Sequence, residues 1–471
     1  MRLIIIKNTL FMRKTLRLAP AAMLLLGVLS CSTNEILEET NESLNLGKSS
    51  KSLSAKYTSE YSYLGSGYDV TKSYAVESST GNQVIDVYQL TSGIESTPTA
   101  FQDYKENYGE NAYEYAKNVT SKLDLGGTFS LFKQSITASF NGSLTNNSKF
   151  DGKYIYGSYH LLIKQKRHKF INPTAGNLKN YLTPQFTQAL QTMTPQEIVQ
   201  YYGTHVLTDI YIGGKLDVMF RSETSNENRK NASEVGVKVS ALNVFNINVN
   251  NNVDTSSASK NFNRTLSYRS YGGDPTKSLL GTISMDQSTP SVNIANWQSS
   301  CTPENSVFVD IAEQGVLKLY DLVDDPAKKA SLKAYIDQYL IDNQVQMEYV
   351  PIDIHRYYNG STTDHYYTKT PGAYGGYGYE GVDFRAYNYK APSTVAIYRY
   401  WNGTDHYYAT APGAPAGYVS EGIEFYAYPS QVSGSRPIYQ YYGRKRGDHY
   451  YTTSFQSYSG YTYEGIAFYA L

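Results

Sequence analysis

One unit is repeated three times in the last third of the chain, and this repeat restricts the possible fold more than any other feature. Each copy has the sequence Asp-His-Tyr-Tyr followed, sixteen residues after the aspartate, by Glu-Gly, and the copies begin at Asp364, Asp405 and Asp448. Units of about forty residues that cannot bury a core alone fold by packing against one another. We therefore predict an all-β module over residues 351–471, a β-trefoil-like domain of three repeats. A propeller is less favoured, because three blades are fewer than the usual four to eight.

Two roles are possible for the Asp-His pairs. In the structural role, each pair forms hydrogen bonds to a turn within its own repeat. In the competing role the module binds a sugar, because aromatic rings stack on sugar faces while Asp and Asn side chains bind hydroxyls. Trp401, with Asn402 and Asp405 nearby, is the best single candidate contact. The full set of candidate ligand-binding residues is Trp401, Asn402, Asp405, His406, Asp364, His365, Asp448 and His449.

Several chemical classes are disfavoured by what the chain lacks. A Ser-His-Asp catalytic arrangement needs one nucleophile and one base, not three equal copies. The sequence contains no nucleophile elbow or phosphate loop and no zinc or EF-hand spacing. Lys plus Arg and Asp plus Glu both total 42, so net charge gives no reason to expect nucleic acid as a partner. We predict no catalytic residue, no metal and no cofactor.

The N-terminus reads as a targeting segment. Arg13 and Lys14 precede an apolar stretch at residues 21–29, which is too short to span a bilayer as a helix. Residues 28–31, Val-Leu-Ser-Cys, resemble a bacterial lipobox, which implies a signal peptide over residues 1–31 and a lipid on Cys31. The alternative is an ordinary cleaved signal with an incidental cysteine. Residues 32–56 read as a flexible tether, and we expect an outer-membrane surface lipoprotein, a secreted protein, or both.

Residues 201–214 carry the most informative short motif of the chain. Tyr-Gly-Thr-His is followed by a run of β-forming residues that ends in a Gly-Gly pair. Adjacent glycines in a strand permit a bend or a close backbone approach. Just upstream, Thr194, Pro195 and Glu197 predict a helix N-terminus with a capping box. The plain alternative for the motif is a strand-to-turn junction with His205 as a core histidine.

This motif resembles the hallmark of the membrane-attack-complex/perforin (MACPF) family, which builds pores from soluble monomers. The resemblance implies that the motif residues hold a sheet bend at which conversion to the pore hinges. It also implies an α+β domain over residues 57–346, with a bent antiparallel four-stranded sheet flanked by helices. The motif residues are Tyr202, Gly203, Thr204, His205, Gly213 and Gly214.

Two regions on either side of this motif alternate apolar and polar residues. Around residues 119–150 and 232–265 the apolar side chains recur with period two. Strands of a transmembrane barrel need this pattern over about 9–11 residues, although any half-exposed antiparallel strand shows it too. In MACPF proteins the corresponding regions are helical before insertion, which the resemblance implies for this chain as well.

The function that this resemblance implies is a secreted pore-forming protein. The repeats would bind a surface glycan, lipopolysaccharide or outer-membrane protein receptor. The protein would then assemble into a ring of identical copies and insert β-hairpins into the target membrane. The chain is also similar to secreted antimicrobial MACPF proteins of gut Bacteroidales, which implies killing of related bacteria. The alternative is a non-lytic adhesin that uses the same scaffold to reach host or microbial glycans.

Overall fold

The computed structural model describes residues 61, 63–121, 132–140, 149–247, 258–287 and 290–471. All of them lie in one compact unit, Thr58–Leu471. The predicted signal peptide, the lipidated Cys31 and the tether lie outside the described residues, as do parts of both alternating regions. None of the described helices is long and apolar enough to cross a membrane.

Eight α-helices occur in the described part of the chain, all before residue 343. They are α1 Ala112–Ser121, α2 Lys133–Ser139, α3 Ala175–Leu178, α4 Pro184–Thr192, α5 Pro195–Tyr202, α6 Arg229–Phe245, α7 Ala295–Ser299 and α8 Pro326–Asp342. The predicted capping box is present at the start of α5. There the Thr194 side chain accepts a hydrogen bond from the backbone of Glu197, and the Glu197 carboxylate accepts one from the backbone of Thr194.

Twelve strands precede the repeats in the described residues. They are β1 Ser66–Tyr68, β2 Thr80–Gln83, β3 Ile94–Gly109, β4 Phe150–Asp151, β5 Tyr154–Phe170, β6 His205–Leu207, β7 Asp209–Thr224, β8 Asn261–Tyr271, β9 Leu280–Ser284, β10 Val307–Ile311, β11 Val316–Lys318 and β12 Met347–Glu348. The central antiparallel sheet has the order β3-β5-β7-β8-β9, with β10 also paired to β7. The predicted sheet of four strands is therefore one of six. The prediction missed β9 and β10 because each has only five residues, too few to show a clear period.

The two faces of the central sheet are covered by different helices. On one face, called the α6 face, Tyr159, Leu161 and Phe220 form a buried cluster with Val237 of α6. On the opposite face, called the α1 face, Tyr156 and Met219 pack against residues of α1 and α2. The described parts of both alternating regions are thus largely helical, as the family resemblance implied, and β8 is the exception.

The repeats form nine strands in three separate antiparallel sheets, ordered β14-β13-β15, β17-β16-β18 and β20-β19-β21. Their bounds are β13 Ile352–Asn359, β14 Asp364–Thr368, β15 Gly378–Ala386, β16 Val395–Trp401, β17 His406–Ala409, β18 Val419–Ala427, β19 Arg436–Gly443, β20 Asp448–Thr452 and β21 Thr462–Ala470. The β-trefoil interpretation is not confirmed, since each repeat gives three strands whereas a trefoil repeat has four.

The second tyrosine of each Asp-His-Tyr-Tyr motif builds the core that the three sheets share. The rings of Tyr367, Tyr408 and Tyr451 meet edge to face, with centroids 5.5–5.6 Å apart. Each hydroxyl donates to a backbone carbonyl of another repeat, and Tyr408 donates to the carbonyl of Tyr367 at 2.7 Å. The core therefore exists only when all three repeats are together.

Candidate functional site

The Tyr-Gly-Thr-His segment joins α5 to β6 and ties both to β1. Gly203 ends α5 with φ +77°, and a β carbon there would lie 2.5 Å from the carbonyl carbon of Tyr68. The backbone N–H of Thr204 donates to the carbonyl of Tyr68 at 3.0 Å. Tyr202 is buried with its ring 4.9 Å from that of Phe186. Only glycine fits at position 203, because both the backbone angle and the space exclude a side chain.

His205 lies in the core beside Thr204. The Thr204 hydroxyl is 2.9 Å from Nδ1 of His205, and the imidazole is 2 % exposed. Burial lowers the pKa of His205 to about 3, with a further contribution from the charge of Lys318. The imidazole is therefore neutral at physiological pH. This is the position of a core histidine at a strand junction and offers no acid or base to a substrate.

Gly213 and Gly214 lie where the strand paired to one edge of β7 changes from β10 to β8. Residues 210–213 of β7 pair with β10, whereas pairing with β8 begins at Lys215. On the opposite edge, β5 has a bulge, because Lys164 pairs with Gly213 and Lys166 pairs with Ile212. Bulges bend strands and increase their twist. The Gly-Gly pair thus coincides with a break in both neighbouring ladders, which is where a bend of the sheet is expected.

No side chain fits at either glycine of this pair. A β carbon on Gly213 would lie 1.8 Å from the carbonyl oxygen of Ile163. A β carbon on Gly214 would lie 2.3 Å from Sγ of Cys301 and 3.4 Å from the ring of Trp297. The two glycines therefore permit close approach of β5 on one side and of the α7 region on the other.

A second glycine pair, Gly272-Gly273, packs against the first. Both have positive φ, +68° and +74°. The indole Nε1 of the fully buried Trp297 donates to the carbonyl of Gly272 at 3.0 Å. The amide of Gln165, the bulged residue of β5, donates to the carbonyl of Cys301 at 2.5 Å. Sequence reasoning missed Trp297 and Gln165. Trp297 is one of only two tryptophans, and that is the signal that could have found it.

Buried charges surround the bend on the α1 face. Asp310 of β10 is 1 % exposed and lies 2.6 Å from Nζ of Lys105 and 3.0 Å from Nζ of Lys164. Burial opposes ionisation of Asp310, but the two lysines outweigh it and hold the pKa of the carboxyl below its ordinary value. Burial lowers the pKa of Lys215, which Asp217 at 3.3 Å only partly offsets. These ion pairs hold β3, β5 and β10 together beside the Gly-Gly pair, and no sequence pattern indicated them.

The MAC/Perforin domain family model matches residues 50–348. The chain belongs to the MACPF family. Residues 353–471 match a second model, described as a domain of unknown function (DUF5648). No curated protein matches the chain.

Among solved structures, two bacterial proteins are similar to this MACPF chain. One is a putative cell invasion protein with a MAC/Perforin domain from Bacteroides thetaiotaomicron, with 16% identity, a TM-score of 0.48, and coverage of 70% of this chain and 68% of that one. The other is GNIP1Aa from Chromobacterium piscinae, with 15% identity, a TM-score of 0.48, and coverage of 87% and 82%. The family membership rests on the sequence match, not on these likenesses.

In the repeats of the MACPF chain, each Asp-His pair joins two different copies. The backbone N–H and Nδ1 of His365 lie 2.9 and 2.7 Å from the carboxylate oxygens of Asp448. His406 makes the same contacts with Asp364, and His449 with Asp405. The predicted bonding within one repeat is wrong for the histidines, since each of them bonds to the aspartate of another copy. Adjacent residues of a strand point to opposite faces, so a histidine does not meet the aspartate that precedes it.

These three aspartates are 0 % exposed, and their carboxylate oxygens approach within 4.8 Å of one another. Each also accepts a hydrogen bond from a tyrosine, the donors being Tyr377, Tyr418 and Tyr461. The oxygen of Asn402 accepts two backbone N–H groups of its own loop. The Asp, His and Asn side chains thus have partners within the module. Trp401 is half-buried over His406, at a centroid distance of 4.2 Å, and remains the candidate ligand contact.

We expect Asp405→Asn to lower the stability of the repeats by about 3 kcal/mol, because the backbone N–H and Nδ1 of His449 and the hydroxyl of Tyr418 converge on two carboxylate oxygens, and asparagine keeps only one of these acceptors. Thermal denaturation of the full chain measures this as a lower midpoint for the transition that includes the repeats. Asp353→Asn is the matched control, since Asp353 is an exposed residue of the same module. Equal midpoints for the two variants would contradict the structural role of the Asp-His pairs.

Arg229 connects the two alternating regions of the MACPF domain. It begins α6, is 4 % exposed, and donates to the carbonyl of Glu110 at 3.1 Å and to those of Gly152 and Lys153 at 2.8 and 3.0 Å. Glu110 and Gly152 lie at the two ends of the segment that joins β3 to β5. The start of α6 is therefore fixed to both ends of the other region. Sequence reasoning gave no indication of this contact.

Proposed function

We propose that this protein is a secreted pore-forming protein whose repeats hold it at a target surface while two segments per copy refold into membrane hairpins. The segments are those that join β3 to β5 and β7 to β8. Killing of related bacteria is the expected consequence. Lipidation at Cys31 would place the protein on the outer-membrane surface before action or release.

The strand register is the observation that carries this proposal. Lys105 of β3 pairs with His160 of β5, which pairs with Asp217 of β7. These three side chains therefore share the α1 face, so that this face holds odd positions of β3 and β7 and even positions of β5.

Each refolded segment would form a hairpin with two arms that continue the strands on either side of it. If the strands continue without further bulges, the apolar residues of three of these four arms lie on one face of the extended sheet. The odd-numbered residues after the end of β3 form the first set. The even-numbered residues before the start of β5 form the second set, and the odd-numbered residues after the end of β7 form the third. The sets are Leu123, Leu125, Phe129 and Leu131, then Ile136, Ala138, Phe140 and Leu144, then Val235, Val237, Val239, Ala241, Phe245 and Ile247. The opposite face then receives mainly polar residues. A membrane-spanning barrel needs this arrangement. Three separate stretches of sequence would not be expected to place their apolar residues on the same face by chance.

The fourth arm precedes β8, and β8 contains a bulge near its start. Arg221 pairs with Thr265, whereas Glu223 pairs with Phe262, so one extra residue lies on the β8 side. The bulge puts Phe262 on the same face as Glu223, which is the α1 face. The first apolar residue of this arm therefore lies on the side that the other three arms would present to lipid.

The edges of the central sheet provide a route to assembly. In the described part of the chain, β3 pairs only with β5, so its outer edge is open along sixteen residues. At the other end β9 covers β8 with a strand of only five residues. Open strand edges pair readily with other chains. Displacing β9 would let β8 of one copy pair with β3 of the next, which generates a ring.

A disulfide between β8 and β9 tests this route. Ser267 and Thr282 are register partners with their hydroxyl oxygens 3.2 Å apart. We expect oxidised Ser267→Cys/Thr282→Cys to bind target membranes but to form no ring-sized oligomers, and to regain assembly on reduction. Sedimentation of detergent-solubilised membranes measures the oligomers, with both single variants as controls. Oligomers from the oxidised double variant would exclude this edge.

A non-lytic adhesin is the second candidate function. It is favoured by the half-buried Trp401 and by aromatic residues that the repeats leave exposed, among them Tyr379, Phe455 and Tyr463. Aromatic surfaces of this kind suit glycans. Dye release from vesicles of target-cell lipids separates the two functions, because an adhesin binds the vesicles without emptying them.

A further inference from the structure

Residues 343–350 connect α8 to the repeats and contact the segment that joins β3 to β5; we call them the strap. Their backbone binds this segment in two places. Before α2, the N–H of Lys133 donates to the carbonyl of Asn343 at 2.9 Å. At β4, the N–H groups of Phe150 and Gly152 donate to carbonyls of the strap, each at 2.8 Å. The strap thus holds both described parts of the segment that lie between α1 and β5.

Side chains of the strap pack into the same region. Val345 is buried in the cluster that α1 and α2 form with Phe150 and Tyr156 on the α1 face. The ring of Tyr349 lies against Gly152, where an added β carbon would be 2.4 Å from that ring. The missing side chain at position 152 therefore gives the tyrosine its place. Removing the strap would expose apolar surface to water, so its contacts stabilise the resting arrangement.

The repeats, which follow the strap, contact the start of α6. The backbone N–H of Val350 donates to the hydroxyl of Tyr389 at 3.1 Å. The ring of Tyr389 in turn lies 5.7 Å from the guanidinium carbon of Arg229. The hydroxyl of Tyr398 donates to the carboxylate of Glu227, just before α6, at 2.9 Å. The strap therefore contacts the first refolding segment, and the repeats contact the second.

The proposed refolding of the first segment is incompatible with the strap. An arm that continues β5 would lie between the arms that continue β3 and β7, because β5 lies between these strands in the sheet. An inner strand pairs along both of its edges. Residues 150–152 would need both edges for these arms, yet one edge is paired in parallel with Met347 and Glu348 of β12. The strap must leave before the arm can pair.

We propose that the strap is an autoinhibitory element that keeps the first segment in its resting form until the repeats move away from the MACPF domain. Residues 343–350 are the covalent link between α8 and the repeats, so a displacement of the repeats acts directly on the pairing of β12 with β4. The same displacement breaks the contacts at Glu227 and Arg229. A target surface that binds the displaced repeats more tightly shifts the equilibrium toward release of both segments. This inference rests on the proposed pore function.

A disulfide between β4 and β12 tests whether the strap must leave. Asp151 and Glu348 are register partners, and the spacing of about 4.8 Å between paired strands lies within the range of a disulfide. We expect oxidised Asp151→Cys/Glu348→Cys to bind vesicles of target-cell lipids but to release no dye until it is reduced. Both single variants are controls. Native dye release by the oxidised protein, with the disulfide verified by mass spectrometry, would overturn the strap and leave the pore function standing.

The variant Tyr349→Ala tests the opposite change, since it loosens the strap and leaves both refolding segments unaltered. We expect hydrogen exchange in residues 132–140 and 149–153 to become at least about tenfold faster, because their N–H groups lose a local hold. Exchange in the body of β5 should be unchanged, and dye release should begin earlier. Tyr88→Ala, which truncates an exposed tyrosine outside both segments, is the control and should match the native chain.

The exchange measurement needs no membrane and therefore separates the strap from the pore function. Native exchange rates in Tyr349→Ala would show that the strap does not hold the segment and would overturn the proposal. Faster exchange without earlier dye release would overturn the inhibitory role. If the native chain and every variant release no dye, the pore function fails, and the exchange rates still decide whether the strap holds the segment.

Discussion

Replacing Gly213 with alanine is expected to cost at least about 4 kcal/mol of folding free energy, an effect that single substitutions reach only exceptionally. The added β carbon would lie 1.8 Å from the carbonyl oxygen of Ile163. That oxygen belongs to β5, the central partner of β7, and cannot move aside without breaking the ladder at the bulge. The expected result is a lower thermal midpoint and loss of native hydrogen-exchange protection in β5 and β7.

Gly176→Ala is the control for this substitution. Gly176 lies in α3, where an added β carbon would meet nothing within 4 Å, and its φ is not positive. Alanine should be neutral or slightly stabilising there. A Gly213→Ala chain as stable as the Gly176→Ala chain would contradict the close approach of β5 and β7.

The close contact between Gly213 and Ile163 limits what a larger substitution at Gly213 can reveal about hinge motion. The family resemblance makes Gly213→Val a test of hinge motion, with killing lost and surface binding retained. Valine meets the same obstruction as alanine and would disrupt the resting sheet itself. Loss of activity in that variant would therefore show that the position must be glycine, but would not distinguish a hinge from a close contact.

The helix that leads into the motif could be predicted from the sequence because its capping contacts are local. Gly203 ends α5 and Thr194 begins it, and both contacts lie within a few residues of the chain. Trp297, Cys301 and Gln165 could not be predicted, since they reach the Gly-Gly pair only through the folded sheet. The same holds for Asp310, whose lysine partners on β3 and β5 lie more than a hundred residues away in sequence.

The repeats show a different limit of sequence reasoning. Their period predicted three equivalent units and a shared core, and Tyr367, Tyr408 and Tyr451 form that core. The period could not indicate which copy a given side chain contacts. Identical motifs permit bonding within one copy or between copies, and here both occur, because each aspartate accepts hydrogen bonds from a tyrosine of its own copy and from a histidine of another.

Helix α6 shows most clearly why the period-two sequence pattern and the structure before membrane insertion differ. Its sequence alternates as a strand does, yet residues 229–245 form a helix. Val235, Val237, Ala241 and Val244 are all buried there, so the helix has contacts on several sides instead of one apolar stripe. Tertiary burial overrides the period-two pattern in this state. The pattern then matches a second state in which the segment is extended.

A disulfide between α6 and β5 is expected to abolish permeabilisation. A β carbon on Gly157 would lie 3.0 Å from Cβ of Val237, so a small outward shift of α6 gives the spacing of about 3.8 Å that a disulfide needs. Oxidised Gly157→Cys/Val237→Cys would hold α6 on the sheet and prevent β7 and β8 from extending. Surface binding should be unchanged, because both positions are buried between β5 and α6 and neither lies in the repeats. The single variants control for pairing with Cys301, which is buried and whose pKa burial raises to about 11.

Dye release from vesicles of target-cell lipids by this double variant, before and after reduction, tests most directly whether α6 leaves the sheet to enter the membrane. We expect no release while the disulfide is intact and native release once it is reduced. Full release by the oxidised protein, with the disulfide verified by mass spectrometry, would contradict the pore mechanism.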